Sequence, residues 1–522
     1  MIRRSLRGVS FGALLLGVAA CGSDKLLIPS YNAPDVAGVG ADPNGLQLLA
    51  TGVTERERAL LFATDRDEGL FGREAYYYFP TDARFVSNYL IGIPTTQAGN
   101  PEGKRLDPGG FASGIFFERY RNMRNAVNVQ VAVANSALSA TQKSAMVGFA
   151  KTHYALDLLY LIESRDTVGS VVEIDATNPN ANPPFVGRDS VYKRIFAILD
   201  SANAALAAGG TAFPVTLHAG YNGFNTPTTF AKFTNAIYAR AAADYAATLL
   251  TRQTSCTGNA GTAASCTRPY QRLVNGNSNN ANATAIYQKA LTALNAIGPN
   301  LFEPLRAGVG PTNDAGVYAL FSTTSGDVQN SLNFNTDVNL LAHPSFVDSA
   351  QAGDTRLSKV TLVTNSSGAP TPRAAPSNFG IPAAYRFTIY SSGSTSAPII
   401  RNEELYLLRS EAKWFTGDKT GAINDLNTVR TTSGGLAAYS AVALTWTDQQ
   451  YIDALLYERR MSLVLENRKW VDYRRFGRLL DLPEDFPSGT NRHFRAAVMP
   501  ISTTECNARA GTANVPAQCS QT

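Results

Sequence analysis

Apolar residues recur along this chain mainly at helical spacing. Between Ala140 and Glu163, Val147, Tyr154, Leu158 and Leu161 stand seven, four and three apart, which gathers them on one helical face. Within 229–250, Phe230, Phe233, Ile237, Ala241 and Tyr245 form a second such face, with Thr229 as an N-cap. Leu46 to Phe62, Tyr120 to Ala134, 189–208 and 283–297 read as further helices. In the C-terminal part, helices at 402–416 and 419–431 are separated only by Gly417-Asp418. Leu405, Leu408, Ala412 and Phe415 are expected to pack against Ile423, Leu426 and Val429. Thr447-Asp448-Gln449-Gln450 is a capping box that opens a helix running to about Leu465.

The stretches between, 64–118, 164–188, 209–228, 251–281, 301–400 and 477–522, are dense in Gly, Pro, Asn, Ser and Thr. They read as insertions on a helical-hairpin scaffold, with short strands in 384–400, where Tyr385-Arg386-Phe387-Thr388-Ile389-Tyr390 alternates. Paired helices with short turns resemble the tetratricopeptide plan, although no clean repeat survives. The predicted fold is therefore mainly α: a tetratricopeptide-like scaffold with long irregular insertions and a few short strands.

Composition narrows the class. The chain has 522 residues, 44% hydrophobic and 17% charged, enough for a large core without metal or disulfide support. Its formal charge is +5, but Arg3, Arg4 and Arg7 supply three of those charges, and the remainder is nearly neutral. A near-neutral body lacks the basic footprint of a nucleic-acid binder.

The three arginines precede the mostly apolar run Val9 to Ala20, too short for a membrane span, which needs ~20 apolar residues. Val18-Ala19-Ala20-Cys21 then looks like a bacterial lipobox, making 1–20 a signal peptide, Cys21 the lipidated residue and 21–45 a flexible tether. No later segment offers a span, so the lipid is the only expected membrane attachment. Setting Cys21 aside leaves four cysteines, in two close pairs. Three pairings are formally possible, and we expect Cys256–Cys266 and Cys506–Cys519 as local staples.

Catalytic and metal motifs are missing from the sequence. His153, His218, His343 and His493 stand apart, without ligand-spaced partners, and there is no Cys-x-x-Cys pair, phosphate loop, dinucleotide fingerprint or nucleophile elbow. We expect no metal, no cofactor and no catalytic residue. His153, between core positions of a helix, reads as a packed or rim residue. The carboxylates Glu403, Glu404, Glu411, Glu458, Glu466 and Asp472 cluster near Arg401, Arg409, Arg459, Arg460, Arg468, Arg474 and Arg475. Glu458 and Glu466, eight apart, share a helical face if the helix continues. A carboxylate opposite guanidinium is held ionised, the wrong direction for a general acid, so a structural ion-pair network is expected.

These residues also carry a resemblance. The run 400–412, containing Arg401, Glu404, Tyr406, Leu407 and Glu411, resembles the Arg-x-x-Glu-x-Tyr-Leu-x-x-Ala-Glu-Ala helix of the SusD/RagB family. Residues 422–430 resemble its following Ala-x-x-x-Leu-Asn-x-Val-Arg helix. Glu458-Arg459-Arg460 and the run 466–477, with Glu466, Arg468, Trp470, Asp472 and Arg475, are similar to its Glu-Arg-Arg and Glu-Gly-x-Arg-Trp-Phe-Asp-Leu-x-Arg-Trp-Gly patterns. Ser462, Asn467 and Phe476 depart from the pattern, standing where the family has Glu, Gly and Trp. The resemblance implies that 46–300 and 301–522 are the N-terminal helical and C-terminal parts of a SusD-like fold. It further implies a non-catalytic outer-membrane lipoprotein, facing the cell surface, that binds oligosaccharides and delivers them to a SusC-like TonB-dependent transporter. The alternatives are the same fold carrying peptides or other polymers, a secreted hydrolase, and a surface scaffold whose aromatics only contact the transporter.

The family's ligand sites lie in variable insertions, so candidates here come from chemistry. Sugar capture uses aromatic platforms with amide, carboxylate or guanidinium groups around them. Two loops supply these groups: Tyr76, Tyr77 and Tyr78 with Asp82, Arg84 and Tyr89, and Tyr221, Asn222, Phe224 and Asn225. Trp470 is expected in the core, and Trp446 as a hydrophobic staple before the capping box.

Overall fold

A computed structural model describes residues 36–39, 42–95, 100–178, 181–254, 256, 266–305, 314–373, 379–486 and 489–521. The signal peptide, Cys21 and most of the tether lie outside the described residues. The helices are α1 (Pro43–Phe71), α2 (Ile115–Ala134), α3 (Ala140–Arg165), α4 (Arg188–Ala207), α5 (Pro227–Leu249) and α6 (Ala281–Ile297). After a long strand-bearing insertion come α7 (Asn402–Thr416), α8 (Lys419–Thr432), α9 (Asp448–Ser462), α10 (Lys469–Arg475) and α11 (Thr503–Arg509). From α1 to α5 each helix packs against the next, and α7 packs against α6, α8 and α9. The mainly helical, hairpin-built fold is thus as expected.

Local chemistry sets the helix ends. Ser139 and Gln142 form a capping box at the start of α3, and Thr447 and Gln450 form one at α9. Gly417, in the left-handed region at φ 98°, ends α7 and turns the chain directly into α8, whose Asp418 side chain accepts from the Gly421 N–H. Two boundaries differ from expectation. The cap of α5 is Thr226, with Pro227 in the first turn; Thr229 is its capping-box partner. Helix α1 runs nine residues beyond Phe62, because Asp65, Asp67 and Glu68 are turned inward rather than to solvent.

The strands are β1 (Ala75–Tyr77), β2 (Ile93–Pro94), β3 (Lys104–Arg105), β4 (Gly316–Ala319), β5 (Leu340–Ala342), β6 (Val360–Leu362), β7 (Tyr385–Phe387) and β8 (Ala397–Arg401). One antiparallel sheet has the order β1-β5-β7-β6, and β4 pairs with β8 across a bulge at Val317/Tyr318. Residues 384–400 therefore hold strands, and the stretch 64–118 is more ordered than its composition implies.

One main cluster of buried apolar side chains draws from both 46–300 and 301–522, including Val53, Phe149, Phe233, Leu405 and Leu455. A second surrounds Trp470, whose indole N–H donates to the Ala496 carbonyl at 2.7 Å. Trp446 packs edge-on against Tyr439, 5.0 Å between ring centres. Both expected disulfides are formed, Cys256–Cys266 and Cys506–Cys519. No helix among the described residues is long and apolar enough to cross a membrane.

Candidate functional site

The arginine and carboxylate motifs meet in the interior. Arg240 on α5 pairs with Glu404 at 2.6 Å, Arg401 with Glu466 at 2.7 Å, and Arg459 with Asp472 at 2.6 Å. Arg468 reaches Glu163 on α3 at 2.7 Å, Glu458 is held by both Arg356 and Arg430, and Arg475 grips Glu411 and Asp472. These pairs tie the last third of the chain to α3 and α5. Arg460 and Arg474 pair with no carboxylate among the described residues: Arg460 donates to Ser349, and Arg474 to the carbonyls of Ala497 and Glu163. Glu466 does not share a helix with Glu458, because α9 ends at Ser462 and Leu465 and Asn467 take positive φ. At φ 61° an Asn fits where the family pattern has Gly, since both tolerate the left-handed region.

The electrostatics are more divided than the sequence implied. Burial alone would raise the Glu404 carboxyl, yet Arg240 and Arg468 outweigh it and hold the group at about 2. Burial wins at Asp244, pushed up to about 8 despite Arg475 and Arg468, and at Asp157, pushed to about 7 despite Arg119. The network thus combines carboxyls held down by arginine with carboxyls pushed up by burial. His153 is packed inside it, with Nδ1 2.7 Å from Glu57 and Nε2 3.2 Å from the Tyr221 hydroxyl. Among the described residues no group of three His, Cys, Asp or Glu is arranged to hold a metal ion.

The tyrosines expected to form a platform at 76–89 are not presented to solvent. Tyr76, Tyr77 and Tyr78 are buried on both faces of β1 and its extension, and Tyr89 is buried beside them. Their hydroxyls are satisfied internally: Tyr76 by Asp485, Tyr77 by Asp337, Tyr78 by the Ile381 carbonyl and Tyr89 by Asp67. The reason is topological. β1 is covered by the main core on the Tyr77 side and by the Trp470 cluster on the other. Asp82 and Arg84 do lie at the surface, bound to each other, with Arg84 over the Phe111 ring.

The second loop leads to a cleft. Residues 219–224 form one wall of a cavity of about 510 Å³, completed by Lys232 of α5, Phe302, Glu303, Asp314, Tyr318 of β4 and Ser396. That volume is in the range of small-molecule sites. The wall is built locally. His218 Nδ1 accepts from the Gly220 N–H at 3.1 Å and starts a one-turn 3-10 helix, Ala219–Tyr221. Tyr221 is buried as its anchor, so it supports the loop and is not itself presented. Gly220 is required, because a Cβ there would lie 2.0 Å from the Tyr318 carbonyl oxygen. Phe224 packs edge-on against Phe302, ring centres 4.7 Å apart. Asn222 is exposed at the rim; Asn225 is exposed beyond it and does not line the cavity.

Of the residues expected at the site, the structure therefore brings Asn222 and Phe224 to the cleft. Sequence reasoning missed Lys232, Glu303, Tyr318 and Ser396, which only the β4–β8 pairing and the α5 packing bring together. Among the described residues, the side chains of Asn222, Lys232 and Glu303 make no hydrogen bond or ion pair. An amide, an ammonium and a carboxylate are left available for hydrogen bonding. Asp314 is different: its Oδ2 binds Arg401 at 2.7 Å, and burial pushes its carboxyl up to about 7 despite that arginine.

Residues 355–515 match the family model described as the SusD family. The sequence likeness to the SusD family lies in this C-terminal part, and the fold of the chain as a whole is similar to that of solved SusD-like structures. Among similar solved structures, NanU of B. fragilis is 15% identical at a TM-score of 0.61, covering 93% of this chain and 99% of its own. A SusD-like carbohydrate-binding protein from Bacteroides vulgatus is 14% identical at 0.55, covering 83% of each chain. A SusD superfamily protein from Bacteroides thetaiotaomicron is 13% identical at 0.58, covering 91% of this chain and 100% of its own. No curated protein sequence matches the chain.

Proposed function

We propose that this chain is a non-catalytic receptor that binds oligosaccharides in the 219–224 cleft, with peptides or other polymers as the alternative cargo. Acylation at Cys21 would hold it on the outer membrane, facing outward, where it passes its cargo to a SusC-like TonB-dependent transporter. The observation that carries the reading is a SusD-like fold with an open cleft, part polar and part apolar, in which Asn222, Lys232 and Glu303 have no partners among the described residues. Sugar hydroxyls both donate and accept, and this trio offers donors and acceptors around the edges of Phe224 and Tyr318. The carbohydrate-binding description of the Bacteroides vulgatus protein supports the same class of cargo.

One observation favours the hydrolase reading. Asp314, with a carboxyl near 7, lines the same cleft as the free carboxylate of Glu303, and glycoside hydrolysis needs two carboxyl groups of differing acidity. Asp314 is nonetheless bound to Arg401 and to the Glu403 N–H, which favours a supporting role. The test is a panel of oligosaccharides and peptides, read for binding and for cleavage. Binding of an oligosaccharide recovered intact, weakened about tenfold or more by Lys232→Ala with Glu303→Gln, is the expected result. Turnover abolished by Asp314→Asn would make the chain an enzyme instead.

A further inference from the structure

The segment after the Cys256–Cys266 bridge carries a cation with no carboxylate bonded to it among the described residues. Cys266 is tied to Cys256, and its carbonyl accepts from Gln271 Nε2 at 2.8 Å, which fixes the short 3-10 helix Arg268–Tyr270 between them. Pro269 and Tyr270 are buried. Among the described residues the Arg268 side chain forms no ion pair and no hydrogen bond; its Nη2 is closed off from water, while the side chain as a whole is half-buried. A guanidinium has five N–H donors, and here none of them is bonded to protein.

Its neighbours do not supply the missing charge. Arg188, at the start of α4, already binds both nearby acids, Asp166 at 3.0 Å and Asp189 at 3.3 Å. Arg252, just past α5, is surrounded by carbonyls, those of Gln271 and Ala247 at 2.9 Å and that of Arg475. Three guanidinium groups therefore share two carboxylates. Burial, with Arg188 nearby, lowers Arg268 to about 10, and burial with Arg268 nearby lowers Arg252 to about 9. Asp166 and Asp189 offset part of this at Arg268, and Asp166 part of it at Arg252, but burial and the neighbouring guanidinium outweigh them.

Arg268 also lines a cleft of about 260 Å³, separate from the 219–224 cavity. Lys104, Arg105, Thr167 and Gln518 share the lining with the apolar faces of Tyr270 and Phe494, and among the described residues no carboxylate lines it. Lys104 Nζ donates to the Arg492 carbonyl at 2.7 Å, which leaves its charge without a bonded carboxylate. Apolar walls strengthen any charge–charge attraction inside.

We propose that this second cleft is a site for a small oxyanion, a carboxylate or sulfate group, received on Arg268 with Lys104 and Thr167 beside it. The group can arrive as a free ion or as the charged substituent of an acidic sugar. The site goes beyond the oligosaccharide reading and stands whether or not the 219–224 cleft binds sugar.

The test is calorimetric titration of the mature chain at low ionic strength with sodium sulfate, glucuronate and glucose. Sulfate or glucuronate is expected to bind at one site and glucose is not. Arg268→Met should abolish that binding, Arg268→Lys should retain it within about tenfold, and Lys193→Ala, an exposed cation elsewhere, should not change it. Glucuronate tighter than sulfate by tenfold or more identifies an acidic sugar as the source, and equal affinities identify the free ion. In oxyanion-free buffer Arg268→Met should melt at the same temperature as the native chain or higher, since it removes an unpaired charge. Absence of sulfate and glucuronate binding, or equal binding by Arg268→Met, overturns the proposal. A fall in the melting temperature of Arg268→Met without oxyanion also overturns it, because that result means the guanidinium is structural.

Discussion

Removing Arg468 should leave the interior with a charge it cannot keep. The guanidinium binds Glu163 through two contacts, at 3.1 and 2.7 Å, and both side chains are fully buried. Burial raises the Glu163 carboxyl; the charge and hydrogen bonds of Arg468 more than reverse this and hold it below its ordinary 4.5. In Arg468→Met the reversal is lost, and the cheapest response is for Glu163 to take up a proton. Protonating a carboxyl of ordinary value 4.5 at pH 7 costs about 3.4 kcal/mol. That matches the ~3–5 kcal/mol found when one partner of a buried ion pair is removed. The sign with pH follows. Glu163 in the variant has a folded pKa above its unfolded value, so the penalty is full above the folded pKa and shrinks as pH falls toward 4.5. Urea unfolding followed by tryptophan fluorescence at pH 7 and pH 5 measures both effects. The double change Arg468→Met, Glu163→Leu should recover the part of the loss owed to Glu163, because an apolar pair of similar volume needs no counter-charge, while Asp244, Glu404 and Glu68 still lose the Arg468 charge. A single-variant loss below about 1 kcal/mol, or a double variant as unstable as the sum of the singles, would refute the reasoning.

Other outcomes follow from local geometry. Burial, with the His153 and Arg58 charges, lowers His218 to about 4, and neutral Nδ1 caps the loop that carries Asn222 and Phe224. Because its folded pKa lies below the ordinary 6.5, the contribution of the cap is complete above 6.5 and is lost as pH falls through about 4. Binding at the 219–224 cleft should follow, and His218→Asn, which keeps an acceptor but does not titrate, should remove that step from a pH series. Gly477 sits at φ 71°, where a Cβ would lie 1.7 Å from the Gln271 carbonyl oxygen. Gly477→Ala should cost about 3 kcal/mol or more in urea unfolding, and a loss under 1 kcal/mol would contradict the packing. The four cysteines of the two bridges should resist alkylation in unreduced, denatured protein; breaking Cys506–Cys519 by Cys→Ala changes should cost about 2–3 kcal/mol, because its loop is short.

Much of the scaffold was legible because helical periodicity and capping are local. The α7–α8 hairpin ends on Gly417 and Asp418 as read, and the Thr447 box opens α9. Asp65, Asp67 and Glu68 misled, since acidic residues next to an apolar run normally mark a solvated face. Here the adjacent Arg66 binds Asp67, and Arg119 and Arg468, from distant parts of the chain, offset part of the burial cost of Asp65 and Glu68. The tyrosines at 76–78 misled for a related reason. Consecutive aromatics look like an exposed platform unless both faces of the strand are covered, and β5 and the Trp470 cluster that help cover them come from residues some 260 and 390 positions away. Asn222 and Phe224 were readable as a sugar-type pair. Lys232, Glu303, Tyr318 and Ser396 carry no motif, and only tertiary pairing makes them neighbours. Arg268 looked like any other arginine in a Gly- and Thr-rich loop until the absence of a partner was visible.

The central claim is that cargo is held, unaltered, in the cavity between 219–224 and β4. A crystal structure of the chain with a bound oligosaccharide tests it most directly. The account predicts an intact glycan in that cavity, in contact with Asn222, Lys232 and Glu303. Density for the glycan against another surface with this cavity empty, or a cleaved product inside it, would contradict the account.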